Sequence, residues 1–143
     1  MEREVTMRIG VVGSMHFTEK MISARDKLIE MGHDAFVTNL AEPFIGKSDK
    51  EKEKIKLDQK RNFDAIREFW RLMQGADAIL VLNFDKNGIK HYIGANTLME
   101  IGFAHVLNQK VFLWNPIPCM PYCRPEIEAV LPKVICGNLA KIK

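Results

Sequence analysis

The residue best placed to do chemistry is Glu100. It falls in a stretch, residues 95–107, where apolar residues recur at helical spacing nearly all round. At about 100° per residue, Ala95, Leu98, Met99, Gly102, Phe103 and Val106 share one side, the expected sheet-facing stripe. Asn96, Glu100, Ala104 and Leu107 share another. A helix that is apolar nearly all round is buried nearly all round, so a carboxylate in its second turn faces protein rather than free water. That placement suits a catalytic acid. It equally suits a Glu that does no more than stabilise the positive end of a helix. Gly102, which costs about 1 kcal/mol against Ala in a helix, is expected to permit close packing.

Two other places carry polar residues at suggestive positions. Gly13-Ser14 follows a short apolar run and precedes a helical pattern. Backbone N–H groups at such a junction bind anions, and a glycine lets a ligand approach closely. The surrounding residues are neither G-x-G-x-x-G nor a G-K-[ST] phosphate loop, so a dinucleotide or P-loop site is disfavoured. Asp77 opens the strongest apolar run, Ala78–Leu82. Its neighbours Gly75 and Ala76 give it an ordinary reading as a turn residue. Cys119 and Cys123 are spaced like a zinc pair, and His16 or His91 are possible companions, but no second ligand pair follows; no metal is expected.

The elements that must position these residues alternate in period. Residues 7–12, 35–37, Ala78–Leu82, 111–114 and 134–135 are short apolar runs, as in strands buried on both faces. Helical patterns lie between them. One starts at Thr18 as N-cap and stops at Gly32, a long one spans 49–74, a third covers 95–107 and a short one follows Pro125. This alternation predicts an α/β, three-layer, doubly wound fold with a five-stranded parallel sheet in the order 2-1-3-4-5. The whole chain, 1–143, reads as one domain. Ligands of such sheets bind beyond the carboxyl ends of the strands, where the strand order switches. The loop Gly13, Ser14, Met15, His16, Phe17 and the loop 83–92, from Asn83 onward, should meet there. The start of the third helix, with Asn96, follows.

Composition removes other classes. The chain is 47% hydrophobic, too rich in core-forming residues for a disordered protein. Lys plus Arg number 21 and Asp plus Glu 18, a net charge of +3, too mild to argue for a nucleic-acid polymer or an anionic membrane. The mixed-sign run 47–61 reads as a solvated helix face. The longest apolar run is far short of the ~20 residues that cross a membrane. The charged start Met1-Glu2-Arg3-Glu4 is unlike a signal peptide. With three cysteines, an odd number, a reducing cytoplasm is the expected location.

The segments 75–83 (Gly-Ala-Asp-Ala-Ile-Leu-Val-Leu-Asn), 96–104 (Asn-Thr-Leu-Met-Glu-Ile-Gly-Phe-Ala) and 110–113 (Lys-Val-Phe-Leu) resemble the nucleoside 2-deoxyribosyltransferase superfamily, which includes 2′-deoxynucleoside 5′-phosphate N-hydrolases. The opening 9–15 is similar to that family's first strand and substrate loop. The resemblance implies a flavodoxin-like fold, a homo-oligomer, no cofactor, and cleavage or transfer at the N-glycosidic bond of a nucleoside or nucleoside 5′-monophosphate. It maps the nucleophile to Glu100 and a second functional acid to Asp77. Many members carry Asp or Ser six residues before the nucleophile; here that substrate-contact position is Gly94. The nearest aromatic residue to the first loop is Phe17. The alternative on the same fold is a nucleotide-binding or sensor module without catalysis.

Overall fold

Alternation of buried side chains organises the sheet. The computed structural model describes residues 6–143; residues 1–4, whose charges weigh against a signal peptide, lie outside them. β1 (Arg8–Gly13), β2 (Asp34–Phe36), β3 (Ala78–Leu82), β4 (Lys110–Leu113) and β5 (Lys133–Val134) form one sheet. All pairings are parallel, in the order β2-β1-β3-β4-β5, as expected for the flavodoxin-like α/β arrangement. β3 is buried along its whole length and pairs with β1 from Ile9↔Ala78 to Gly13↔Leu82.

Successive β3 side chains point to opposite faces, so one strand serves two cores. Ala78, Leu80 and Leu82 pack with Ile9 and Val11, and with Met21 and Leu28 of α1 (Thr18–Glu30). Ile79 and Val81 pack with the second layer. That layer is α3 (Ala65–Met73) through Phe69 and Met73, α4 (Ala95–Val106) through Ile101 and Ala104, and α5 (Arg124–Ala129) through Ile127. Each fully buried Leu, Ile or Phe contributes about 1.5–3 kcal/mol to folding.

The structure corrects three local expectations. The long helix expected over 49–74 is two: α2 (Asp49–Asn62) and α3. Asp64 between them adopts a left-handed backbone, φ +45°, and its side chain accepts the Arg67 N–H as the N-cap of α3. This break frees α2 to run over the carboxyl end of the sheet while α3 packs on its face. Thr18 is the first residue of α1 rather than its cap; a 3₁₀ turn, Met15–Phe17, precedes it, capped by Ser14. The sheet-facing side of α4 is Thr97, Ile101 and Ala104. Ala95, Met99, Gly102 and Val106, expected to face the sheet, are exposed, and a Cβ added at Gly102 would meet nothing within 4 Å. The outer side of α4 is apolar too, so hydrophobicity alone could not say which side is inside.

Candidate active site

A cavity of about 200 Å³ lies at the carboxyl ends of β1 and β3, the switch point of this strand order. Of the residues expected at the site, Gly13, Ser14, Met15, Gly94, Asn96 and Glu100 line it. A larger hollow of about 420 Å³ lies near the opposite end of the sheet, among Met7, Met31, His33 and Ile142. It contains no carboxylate side chain, and the His33 ring nitrogen Nδ1 is already taken by the Met7 N–H at 3.1 Å.

Glu100 carries the one carboxylate side chain among the described residues that line the first cavity. It stands in the second turn of α4, above the buried Thr97 and Ile101. Part of its surface opens to the cavity, but dense protein surrounds the carboxyl. Burial pushes its pKa up to about 8, and the Glu68 carboxylate adds to the rise. No hydrogen bond to another described residue holds this carboxyl in place. Glu68 is held in its position: the Thr38 hydroxyl donates to it at 2.7 Å and the Asn39 N–H at 2.9 Å.

The loop after β1 forms the floor. A Cβ on Gly13 would sit 3.0 Å from the Leu82 carbonyl oxygen, so only glycine lets the two strands end this close. The Ser14 hydroxyl accepts from the His16 N–H and from the Lys86 ammonium at 3.0 Å, which leaves its own proton for a ligand. Lys86 is presented by a two-residue hairpin. Asn87 (φ +54°) and Gly88 (φ +73°) make the turn, and Lys86 and Ile89 exchange backbone hydrogen bonds at 3.0 and 2.9 Å. Burial, then the Lys56 charge, lowers the Lys86 pKa.

The roof is α2, which contributes Lys56, Gln59 and Lys60. Lys56 pairs with Glu53 at 3.1 Å; Lys60 and Lys86 pair with no carboxylate among the described residues. The cavity therefore joins one raised-pKa acid to an excess of positive charge. The uncapped N-terminus of α4 at Gly94 and Ala95 adds to that charge.

Four expected site residues do other work. His16 turns away from the cavity toward α2, its Nδ1 3.1 Å from Asp49 and its Nε2 3.1 Å from Glu53. Together with Lys52, which donates to the His16 carbonyl and to Glu19, it latches the roof to the floor. Phe17 packs edge-on against Phe84, ring centroids 5.3 Å apart. Asn83 is fully buried, and its amide is spent on Asn115 and Pro116, which knits the ends of β3 and β4 together. Asp77 precedes β3 at the amino edge, opposite the cavity, where its carboxylate accepts the Arg8 N–H at 2.8 Å. The two acids are not brought together, because a residue that opens a parallel strand lies at the edge away from the ligand.

Sequence reasoning missed the roof. Lys56, Gln59 and Lys60 sit in a charged run that reads as solvated surface, and Thr38, just after β2, carries no signal of its own. The Asn87-Gly88 pair is the signal that marks the Lys86 hairpin. Among the described residues no group of three or more His, Cys, Asp or Glu side chains is placed to hold a metal ion. No protein-family model, curated protein or solved structure matches this chain significantly.

Proposed function

We propose that this cavity takes a nucleoside or nucleoside 5′-monophosphate and breaks its N-glycosidic bond, with Glu100 as nucleophile. The observation that carries the reading is an unpartnered, largely desolvated carboxyl in the wall of the switch-point cavity, facing an excess of lysine. Cleavage of this bond passes through an oxocarbenium-like state, which a carboxylate beside the anomeric carbon stabilises or captures. The ionised Glu100 forms a bond to that carbon as the carbon–nitrogen bond breaks, and the base departs with the electron pair and gains a proton. Water then displaces the sugar and restores the carboxylate; a second base in place of water gives transfer. Asp77 is badly placed to protonate the base. Donors on the cavity wall, among them the Lys86 and Lys56 ammonium groups, the Tyr92 hydroxyl and the Gln59 and Asn96 amides, are available to the departing base. Lys86, Lys60 and Ser14 favour a ligand with a 5′-phosphate.

Release of free base from a panel of nucleosides and 5′-monophosphates, with and without an acceptor base, tests the reading. Base release that Glu100→Ala abolishes supports it; release undiminished in that variant contradicts it. A nucleotide-binding module is the second reading. It is favoured by the separation of Asp77 from Glu100 and by a carboxyl that is mostly protonated at neutral pH. Intact nucleotide recovered with the protein, and no base release, decides for it. The exposed apolar residues Ile66, Met99 and Val106, the last 77% exposed, support a homo-oligomer built on α3 and α4. Three free cysteines fit a reducing compartment such as the cytoplasm.

A further inference from the structure

Gly94 is the N-cap of α4 and offers the helix no capping side chain. The space beside it is not empty. A Cβ built on Gly94 would stand 3.2 Å from the Tyr92 hydroxyl oxygen and 3.3 Å from Cε1 of the ring. Tyr92 thus fills the place that a side chain at position 94 would take. The backbone brings it there: His91 adopts a left-handed conformation, φ +58°, its N–H held by Asp85, and the Tyr92 N–H bonds back to the Phe84 carbonyl at 3.0 Å.

The ring is half-buried and lines the same cavity as Glu100. The Lys86 ammonium lies 5.0 Å from the ring centroid while also holding Ser14. A cation over the face of a ring steadies it without using the hydroxyl. That hydroxyl has no hydrogen-bond partner among the described residues. A phenol on a stiff two-torsion side chain, held from one side and open at its polar end, is suited to gripping a ligand.

We propose that Tyr92 is a specificity-determining residue of this cavity, its hydroxyl bonding a sugar hydroxyl of the ligand beside Glu100 in place of a side chain at position 94. The proposal rests on the nucleoside or nucleotide reading of the site. It gives Gly94 a reason: a Cβ at this position crowds the hydroxyl end of the Tyr92 ring, which must then give way.

The test uses binding and base-release kinetics of the full chain with the four common 2′-deoxynucleosides and their 5′-monophosphates. Tyr92→Phe raises KM or Kd about tenfold with a smaller change in kcat, since one hydroxyl contact is lost and the ring remains. Gly94→Ser weakens binding comparably by displacing the ring. Gly94→Ser combined with Tyr92→Ala binds better than Tyr92→Ala alone, because the serine then has room to supply the missing hydroxyl. Wild-type affinity in Tyr92→Phe, or a Gly94→Ser defect that removing the ring does not relieve, overturns this inference and leaves the site reading standing. A wild-type protein that neither binds nor cleaves any of the eight compounds overturns both.

Discussion

The carboxylate of Glu68 on α3, pinned by Thr38 and Asn39, raises the pKa of Glu100 on α4. Burial does most of that work, and Glu68 adds to it. A nucleophile must be ionised, so kcat/KM should rise with pH through a limb near the Glu100 value of about 8. Glu68→Gln removes the repelling charge, and the limb should move to lower pH. A limb that stays in place in this variant excludes Glu68 as an influence on Glu100.

The same pKa makes a stability statement. The folded protein keeps a proton on Glu100 that the unfolded chain has lost above about pH 4.5. Stability from this group is therefore full at low pH and declines as pH rises toward about 8, by up to about 1.4 kcal/mol per pH unit. Glu100→Gln stays neutral throughout. Thermal melts should show it close to wild type at pH 5 and more stable at pH 9. An offset that is the same at both pH values would contradict the burial of this carboxyl.

On the proposed reading, Lys86 separates ligands by charge. A charge-assisted hydrogen bond contributes about 1.5–3 kcal/mol. Lys86→Met should therefore weaken binding of 5′-monophosphates roughly tenfold or more and leave nucleosides much less affected. Equal loss for both, read by calorimetric titration, would place Lys86 away from the phosphate.

Asn83 tests a structural role against a ligand-binding one. Its removal strands the Asn115 N–H and leaves two carbonyls without their donor. Asn83→Ala should cost about 1–3 kcal/mol or more in chemical denaturation. The surviving folded protein should keep its ligand affinity.

The latch under the roof is exposed in part, and exposed ion pairs are worth little each. His16→Ala should lower global stability by no more than about 1 kcal/mol. It should nonetheless speed amide exchange in α2, whose buried residues are only Lys52 and Gln59. Unchanged exchange in α2 would show that the latch does not hold the roof.

The strand order was legible because β3 and its neighbours are short apolar runs separated by helical patterns, a strongly periodic signal. Glu100 was legible for a related reason: it is an acid in an otherwise apolar helix. The break at Asp64 was not, since Ile55, Gln59, Asn62 and Ile66 keep helical spacing across it, and a left-handed Asp leaves no trace in that pattern. The inner face of α4 was misread because its outer face is equally apolar. The lysines of α2 look like surface in one dimension; they line the cavity only because the break lets α2 cross the end of the sheet. Asp77 shows the reverse. Its segment resembles a functional motif, but its position at the start of a parallel strand carries it to the far edge.

Mass spectrometry of the quenched protein is the most direct measurement of the nucleophile. The protein is reacted with a 2-fluorinated nucleoside 5′-monophosphate, chosen to slow release of the sugar, and digested. The peptide containing Glu100 should gain the mass of the sugar phosphate, and the corresponding peptide of Glu100→Gln should not. Base release with no adduct on Glu100, continuing at the wild-type rate in Glu100→Gln, would contradict the account.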